Sequence, residues 1–178
     1  MEENRLLEQM LRRRSVRTYT GEKVPMEKLN RIIEAGLAAP SSRGRGSCEL
    51  IVIRDRQMLL TLSGCRMGSA RMLAGADCCI AVLGNEEVSD VWVEDCAIAL
   101  AQMHLMADAE GVGSCIIQGR LREANPSGLT TEDYARAFLK FPSTYRLLGF
   151  LSLGMPDGHP EPHKEEDLHF EKVHIHTF

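Results

Sequence analysis

Arg13-Arg14-Ser15-Val16-Arg17 sets three guanidinium groups and a hydroxyl within five residues, side chains well matched to the oxygens of a phosphate. In an extended backbone Arg13, Ser15 and Arg17 would share one side, because successive side chains alternate. A solvated basic surface has the same composition, so the segment needs a second element before it reads as a site. Two more are present. Ala39-Pro40-Ser41-Ser42-Arg43-Gly44-Arg45-Gly46-Ser47 offers hydroxyls and backbone N–H groups with little bulk, suited to lining a flat ligand or simply to turning the chain. In Ser114-Cys115-Ile116-Ile117-Gln118-Gly119 a strand runs into a glycine, where bare backbone donors can meet a ligand. None of the three matches a Walker phosphate loop or the dinucleotide G-x-G-x-x-G pattern.

Protein-only catalysis finds little support. The chain has no G-x-S-x-G elbow and no H-E-x-x-H, and its six cysteines include no C-x-x-C pair. Most of those cysteines read as small buried apolar residues in a reducing compartment. Glu94-Asp95 falls early in a long helix, where acidic residues complement the dipole, and Glu165-Glu166-Asp167 reads as a solvated run. Five histidines (His159, His163, His169, His174 and His176) crowd the end of the chain. The last of them alternate with Val173, Ile175 and Thr177, the pattern of a strand with one wet face, and no metal site is expected. Any catalysis here is therefore expected to be carried by a cofactor, with no catalytic side chain.

The elements that must position these groups follow from periodicity. Leu6, Leu7, Met10 and Leu11 predict a helix over about residues 3–13 that delivers the arginines at its end. Pro25 opens a second helix lined by Met26, Leu29, Ile33 and Leu37 and ending near Ala38. Strands are expected at 49–53, 78–83, 114–117 and 147–153, and helices at 56–62, 90–110 and 131–139. The Met/Arg/Gly-rich stretch 65–74 has no clear period. Interleaved helices and strands indicate an α/β or α+β sheet domain. The proline-rich piece 156–162 is the one linker-like segment, and a strand-like tail beyond it suggests docking on a neighbour's sheet edge.

A length of 178 residues with 44% hydrophobic and 26% charged residues suits one domain, 1–178, with 160–178 as an extended tail. A net charge of −4 gives little footprint for nucleic acid. No membrane segment or apolar signal core is legible, and a cytoplasmic protein is expected.

Taken together, these pieces resemble the FMN-dependent nitroreductase family. The matching pattern is R-R-S-x-R at Arg13–Arg17, V-P at Val24-Pro25, A-A-P-S at Ala38–Ser41, D-x-A-I-A-x-x-Q-x-x-x-x-A-x-x-x-G-x-G-S-C at Asp95–Cys115, and L-G-x-P at Leu153–Pro156. Each piece is weak alone, and their combination over nearly the whole chain is specific.

The resemblance implies an α+β fold with a central, mostly antiparallel sheet flanked by helices, and a C-terminal tail strand exchanged in a homodimer. It implies FMN as cofactor. Arg13, Arg14, Ser15 and Arg17 would hold its phosphate and the polar edge of the ring, with Lys164 as a further phosphate partner. Pro40, Ser41, Ser42 and Gly44 would reach it from the other subunit, and Ile117, Gln118 and Gly119 would run beside the ring, with a backbone N–H near Gly119 on N5. The implied activity is ping-pong transfer from NAD(P)H to a nitroaromatic, quinone or similar acceptor. Relatives that reduce enones or remove halogens, and a flavin-binding or scavenging module with little turnover, are the alternatives. Where the family usually reads A-P-S-x-x-N-x-Q-P-W, this chain has Gly44, Gly46 and Cys48 in place of the amide, the glutamine and the tryptophan, which implies a roomier pocket.

Overall fold

Four strands, all antiparallel, form the centre of the computed structural model, which describes residues 4–178. They are β1 (Cys48–Ile53), β2 (Cys78–Asn85), β3 (Gly113–Gln118) and β4 (Tyr145–Gly154), in the order β1-β2-β4-β3. β2 and β4 lie inside the sheet with both faces covered, which is why they read as continuous apolar runs in place of alternating ones. The edge strands β1 and β3 keep partly exposed positions.

Helices α2 (Met26–Leu37) and α4 (Trp92–Ala109) cover one face, burying Leu29, Ile32, Leu100 and Met103 against Ile80, Val82 and Leu151. Helices α3 (Arg56–Leu62) and α5 (Thr131–Leu139) belong to the other face, where Leu59, Leu62 and Ala135 share a core with Cys79, Ala81, Ile117 and Phe150. Successive β2 residues thus feed alternate cores, as the period-2 pleat requires. The spans of α3 and α5 match the sequence expectation because their caps are local: Asp55 accepts from the Met58 N–H at 2.7 Å, and Thr130 from the Asp133 N–H at 3.0 Å. Helix α1 (Arg5–Arg12) is capped by Asn4, and the expected start at residue 3 lies outside the described residues.

β4 carries a bulge. Val82 pairs with Gly149 and Leu83 with Leu147, so Leu148 is the extra residue. Its carbonyl accepts both the Gly119 N–H at 3.0 Å and the Arg120 N–H at 2.9 Å and so closes the end of β3.

One undecided stretch is resolved and one expectation is corrected. The stretch 65–74 is a run of turns ending in a 3-10 turn at Arg71–Ala74. The tail is not a strand: 3-10 turns occupy Glu165–Asp167 and Phe170–Lys172, and residues 173–178 have no regular structure. Alternation of apolar and polar residues marks a face, but a strand also needs an edge to receive its N–H and C=O groups, and among the described residues none pairs with the tail in a sheet. Phe170, Val173, Ile175 and Phe178 are left exposed.

Candidate functional site

The arginine segment is hung on the free edge of β3. The Val16 N–H donates to the Ser114 carbonyl at 2.9 Å and the Val16 side chain is buried against Gly113. Farther along, Tyr19 packs on Gly154 and its hydroxyl lies 2.7 Å from the Ser152 hydroxyl; burial pushes the phenol well above its ordinary pKa. These anchors leave Arg13 and Ser15 lining a cavity of about 590 Å³ with Met10, His104, Leu105 and Ile116. Arg17 turns into an adjacent cavity of about 540 Å³, lined also by Arg66, Ser69, Arg71, Met72 and Cys115. Ile116 borders both, so the two form one cationic trench along the edge of the sheet.

His104 is buried beside this trench. Its Nε2 lies 2.8 Å from the Arg13 guanidinium and its Nδ1 2.7 Å from the Ser114 hydroxyl. Burial first, and Arg13 second, hold its pKa down to about 4, against the opposing charge of Asp108. One turn further along α4, buried Asp108 accepts from Gln9 at 2.5 Å, from Arg12 at 3.1 Å and from His159 at 2.8 Å. A single carboxylate thereby joins α1, α4 and the start of the proline-rich segment.

Arg14 does not belong to the trench. Its guanidinium donates to the Glu161 carbonyl, holding the chain beyond β4, because alternation sends it and Val16 to the side opposite Arg13 and Ser15. Lys164 lines neither cavity; its ammonium is exposed and 3.9 Å from Glu166. The neighbouring His163 N–H, bonded to the Leu11 carbonyl at 2.9 Å, keeps that part of the tail beside the end of α1.

The Pro40–Ser47 loop is organised by Asp95, whose carboxylate accepts the Ser42 N–H at 2.8 Å and the Ser47 hydroxyl at 2.8 Å. The Ser41 hydroxyl accepts from the Gly46 N–H at 2.9 Å. Arg43, Gly44 and Gly46 all take left-handed backbone angles, which the two glycines adopt without strain. Asp95 is 4% exposed, so its role is to hold the loop rather than to complement the helix dipole from solvent. Asp95 and His104 stand nine positions apart on α4, about 13–14 Å of helix. Within one chain Pro40, Ser41, Ser42 and Gly44 therefore stand at the far end of α4 from Arg13 and Ser15, and the structure does not bring the two groups together.

At β3 the expectation shifts by one residue. Ile117 points into the core at 1% exposure, and it is Ile116, 36% exposed, whose side chain lies on the trench. The Gly119 N–H is taken by Leu148, so it is not a free donor. The Ser114 carbonyl faces outward to Val16, and residues two apart in a strand repeat that direction, so the N–H groups of Ile116 and Gln118 also face the open edge. Gly119 itself has no room for a side chain, since a Cβ there would stand 2.9 Å from Leu147.

Sequence reading missed Arg66, Arg71, His104 and Asp108, took Asp95 as a complement to the helix dipole, and passed over Ile116 for Ile117. The Arg66–Arg71 stretch was visible only as an aperiodic run, and one histidine in an apolar helix carries no signal of its neighbours. Among the described residues no group of three His, Cys, Asp or Glu side chains is placed to hold a metal ion, and no helix is long and apolar enough to cross a membrane.

The nitroreductase family model matches residues 10–63 and 57–155. A protein of Archaeoglobus fulgidus, whose name proposes an NADH dehydrogenase/NAD(P)H nitroreductase, is 30% identical over 165 residues, covering 90% of this chain and 91% of its own. An FMN-dependent nitroreductase from Clostridium difficile R20291 superposes with a TM-score of 0.92 at 37% identity, over 97% of this chain and 99% of that one. A structure from Desulfovibrio desulfuricans, proposed by name as a nitroreductase and solved in complex with FMN, gives a TM-score of 0.77 at 25% identity over 97% and 99% of the two chains.

Proposed function

The chain belongs to the nitroreductase family, and from that premise we propose that it is an FMN-dependent oxidoreductase, passing electrons from NAD(P)H to a small acceptor such as a nitroaromatic or quinone in ping-pong order. The observation that carries the reading is the trench. Arg13, Arg17, Arg66 and Arg71 converge on it, and none makes an ion pair among the described residues. Cations gathered without carboxylates repel one another and fit an anionic ligand.

Residues and cofactor fit in kind. Arg13 and Ser15 offer the donors a phosphate needs, beside a neutral His104 that leaves the charge of Arg13 uncancelled. Arg17, Arg66 and Arg71 line the adjoining cavity and would hold the electron-rich edge of the ring. Ile116 provides an apolar wall for a flat ring and Gln118 an edge N–H. The separation along α4 favours a homodimer in which Pro40, Ser41, Ser42 and Gly44 of a second copy close the site, with the tail and Lys164 reaching across. When bound, FMN supplies a ring that takes up and gives back a hydride, so no side chain has to act as acid or base.

The test is a visible spectrum of the protein loaded with FMN and desalted, followed by anaerobic NADH or NADPH. A yellow protein that bleaches is the expected result. A protein that stays yellow favours the flavin-binding module with little turnover, and a colourless one overturns the cofactor assignment.

A further inference from the structure

Two cysteines at the base of the Pro40–Ser47 loop take no part in the chemistry above. Cys48 opens β1 and is half-buried, and Cys96 lies in the second turn of α4 and is buried. Cys48 pairs across the sheet with Gly84, and directly opposed residues send their side chains to the same face. The hollow that Gly84 leaves is filled first by the Trp92 ring and then by Cys96, whose sulfur lies 3.0 Å from where a Gly84 Cβ would stand. Both thiols therefore border Gly84 on the same face of the sheet. The Cys96 thiol donates to the Leu83 carbonyl at 3.3 Å. The neighbouring Cys96 draws the Cys48 thiol below its ordinary pKa, and Cys48 together with burial pushes Cys96 up. The more accessible sulfur is the one that ionises more readily, as an attacking thiol with a resolving partner behind it requires.

We propose that Cys48 and Cys96 form an oxidisable dithiol, closed by a hydroperoxide into an intramolecular disulfide that resets the Pro40–Ser47 loop. The Cys48 thiolate attacks the terminal oxygen of the hydroperoxide, breaking its O–O bond; the alcohol or water leaves with a proton, and Cys48 becomes a sulfenic acid. The Cys96 sulfur then attacks the Cys48 sulfur, forming the S–S bond and releasing the hydroxyl with the thiol proton as water. Two thiols are oxidised and one peroxide is reduced, and dithiothreitol reverses the change. Closure needs the sulfurs at about 2.05 Å. Cys96 is packed in the core with Leu100 and Trp92, whereas Cys48 adjoins the loop, so the loop side yields. The loop is tied through Ser42 and Ser47 to Asp95, the residue beside Cys96. The effect on cofactor rests on the proposed role of this loop.

The experiment exposes reduced, FMN-loaded protein to hydrogen peroxide, counts free thiols after denaturation and maps the peptides by mass spectrometry. Expected are the loss of two thiols per chain and a cross-linked Cys48–Cys96 peptide that dithiothreitol separates. In Cys96→Ser, Cys48 should accumulate as a sulfenic acid trapped by dimedone. Survival of both thiols, or Cys48 passing to sulfinic acid without a cross-link, overturns the dithiol. The oxidised protein should also differ from the reduced in FMN dissociation constant by about fivefold or more. Equal affinities overturn the link to the loop. Failure to bind FMN in either state sinks the functional reading instead, and the peptide map still decides the cross-link.

Discussion

The Arg13 guanidinium stands 2.8 Å from Nε2 of His104, and this contact settles the state of the ring. A guanidinium can only donate, so Nε2 is bare and Nδ1–H donates to the Ser114 hydroxyl. Arg13 is thus held by a neutral acceptor, which positions it without cancelling its charge as a carboxylate would.

A pH dependence follows. The folded pKa of His104, about 4, lies below the ordinary 6.5, so the unfolded chain takes up this proton first as pH falls. The contribution is complete above pH 6.5 and is lost toward pH 4, on the order of 3 kcal/mol at most. Urea unfolding of wild type and His104→Gln across that window checks it. Parallel curves for the two proteins would rule the assignment out.

Replacement of Arg13 or Arg17 by alanine should weaken FMN binding about tenfold or more, since a charge-assisted hydrogen bond is worth roughly 1.5–3 kcal/mol. Arg14→Ala should leave the affinity within about twofold, because that guanidinium holds the Glu161 carbonyl. Fluorescence titration of FMN against the three variants separates them, and equal losses at all three would discredit the division of the segment.

Asp95→Ala should cost about 2–3 kcal/mol and loosen the Pro40–Ser47 loop, since the Ser42 N–H and the Ser47 hydroxyl both lose their acceptor. Asp95→Asn keeps one acceptor oxygen and should recover much of the loss. Thermal melts and proteolysis within the loop read both effects; an unchanged melting temperature in the alanine variant would refute them.

Removal of residues 160–178 should leave the fold intact, because every residue from 160 onward is exposed in the single chain. It should weaken the proposed homodimer and FMN retention together. Sedimentation velocity with flavin absorbance is the measurement, and a stable, flavin-loaded dimer without the tail would show that the tail serves neither.

Gly149→Ala places a Cβ against the Ile117 carbonyl and 3.2 Å from the Gly119 nitrogen, next to the Leu148 bulge. The strands must part there, at a cost of about 2 kcal/mol or more. An undiminished midpoint in urea would mean that the bulge absorbs the methyl.

The sequence by itself determined what depends on a few neighbouring residues: the helices that start at Asp55 and Thr130, the apolar runs of β2 and β4, and the ordered motifs that carry the family resemblance. Arg13, Ser15 and Arg17 were legible because their chemistry lies in consecutive positions. Tertiary structure alone decided which groups meet. Ser42 finds Asp95 across 53 positions, Arg13 finds His104 across 91, and Arg66 and Arg71 reach Arg17 only because turns after α3 fold back on β3. It also decided faces, where one residue of register exchanges Ile117 for Ile116 and turns Arg14 away from Arg13. The tail read as a strand because alternation is local, whereas a strand exists only where another backbone accepts its hydrogen bonds.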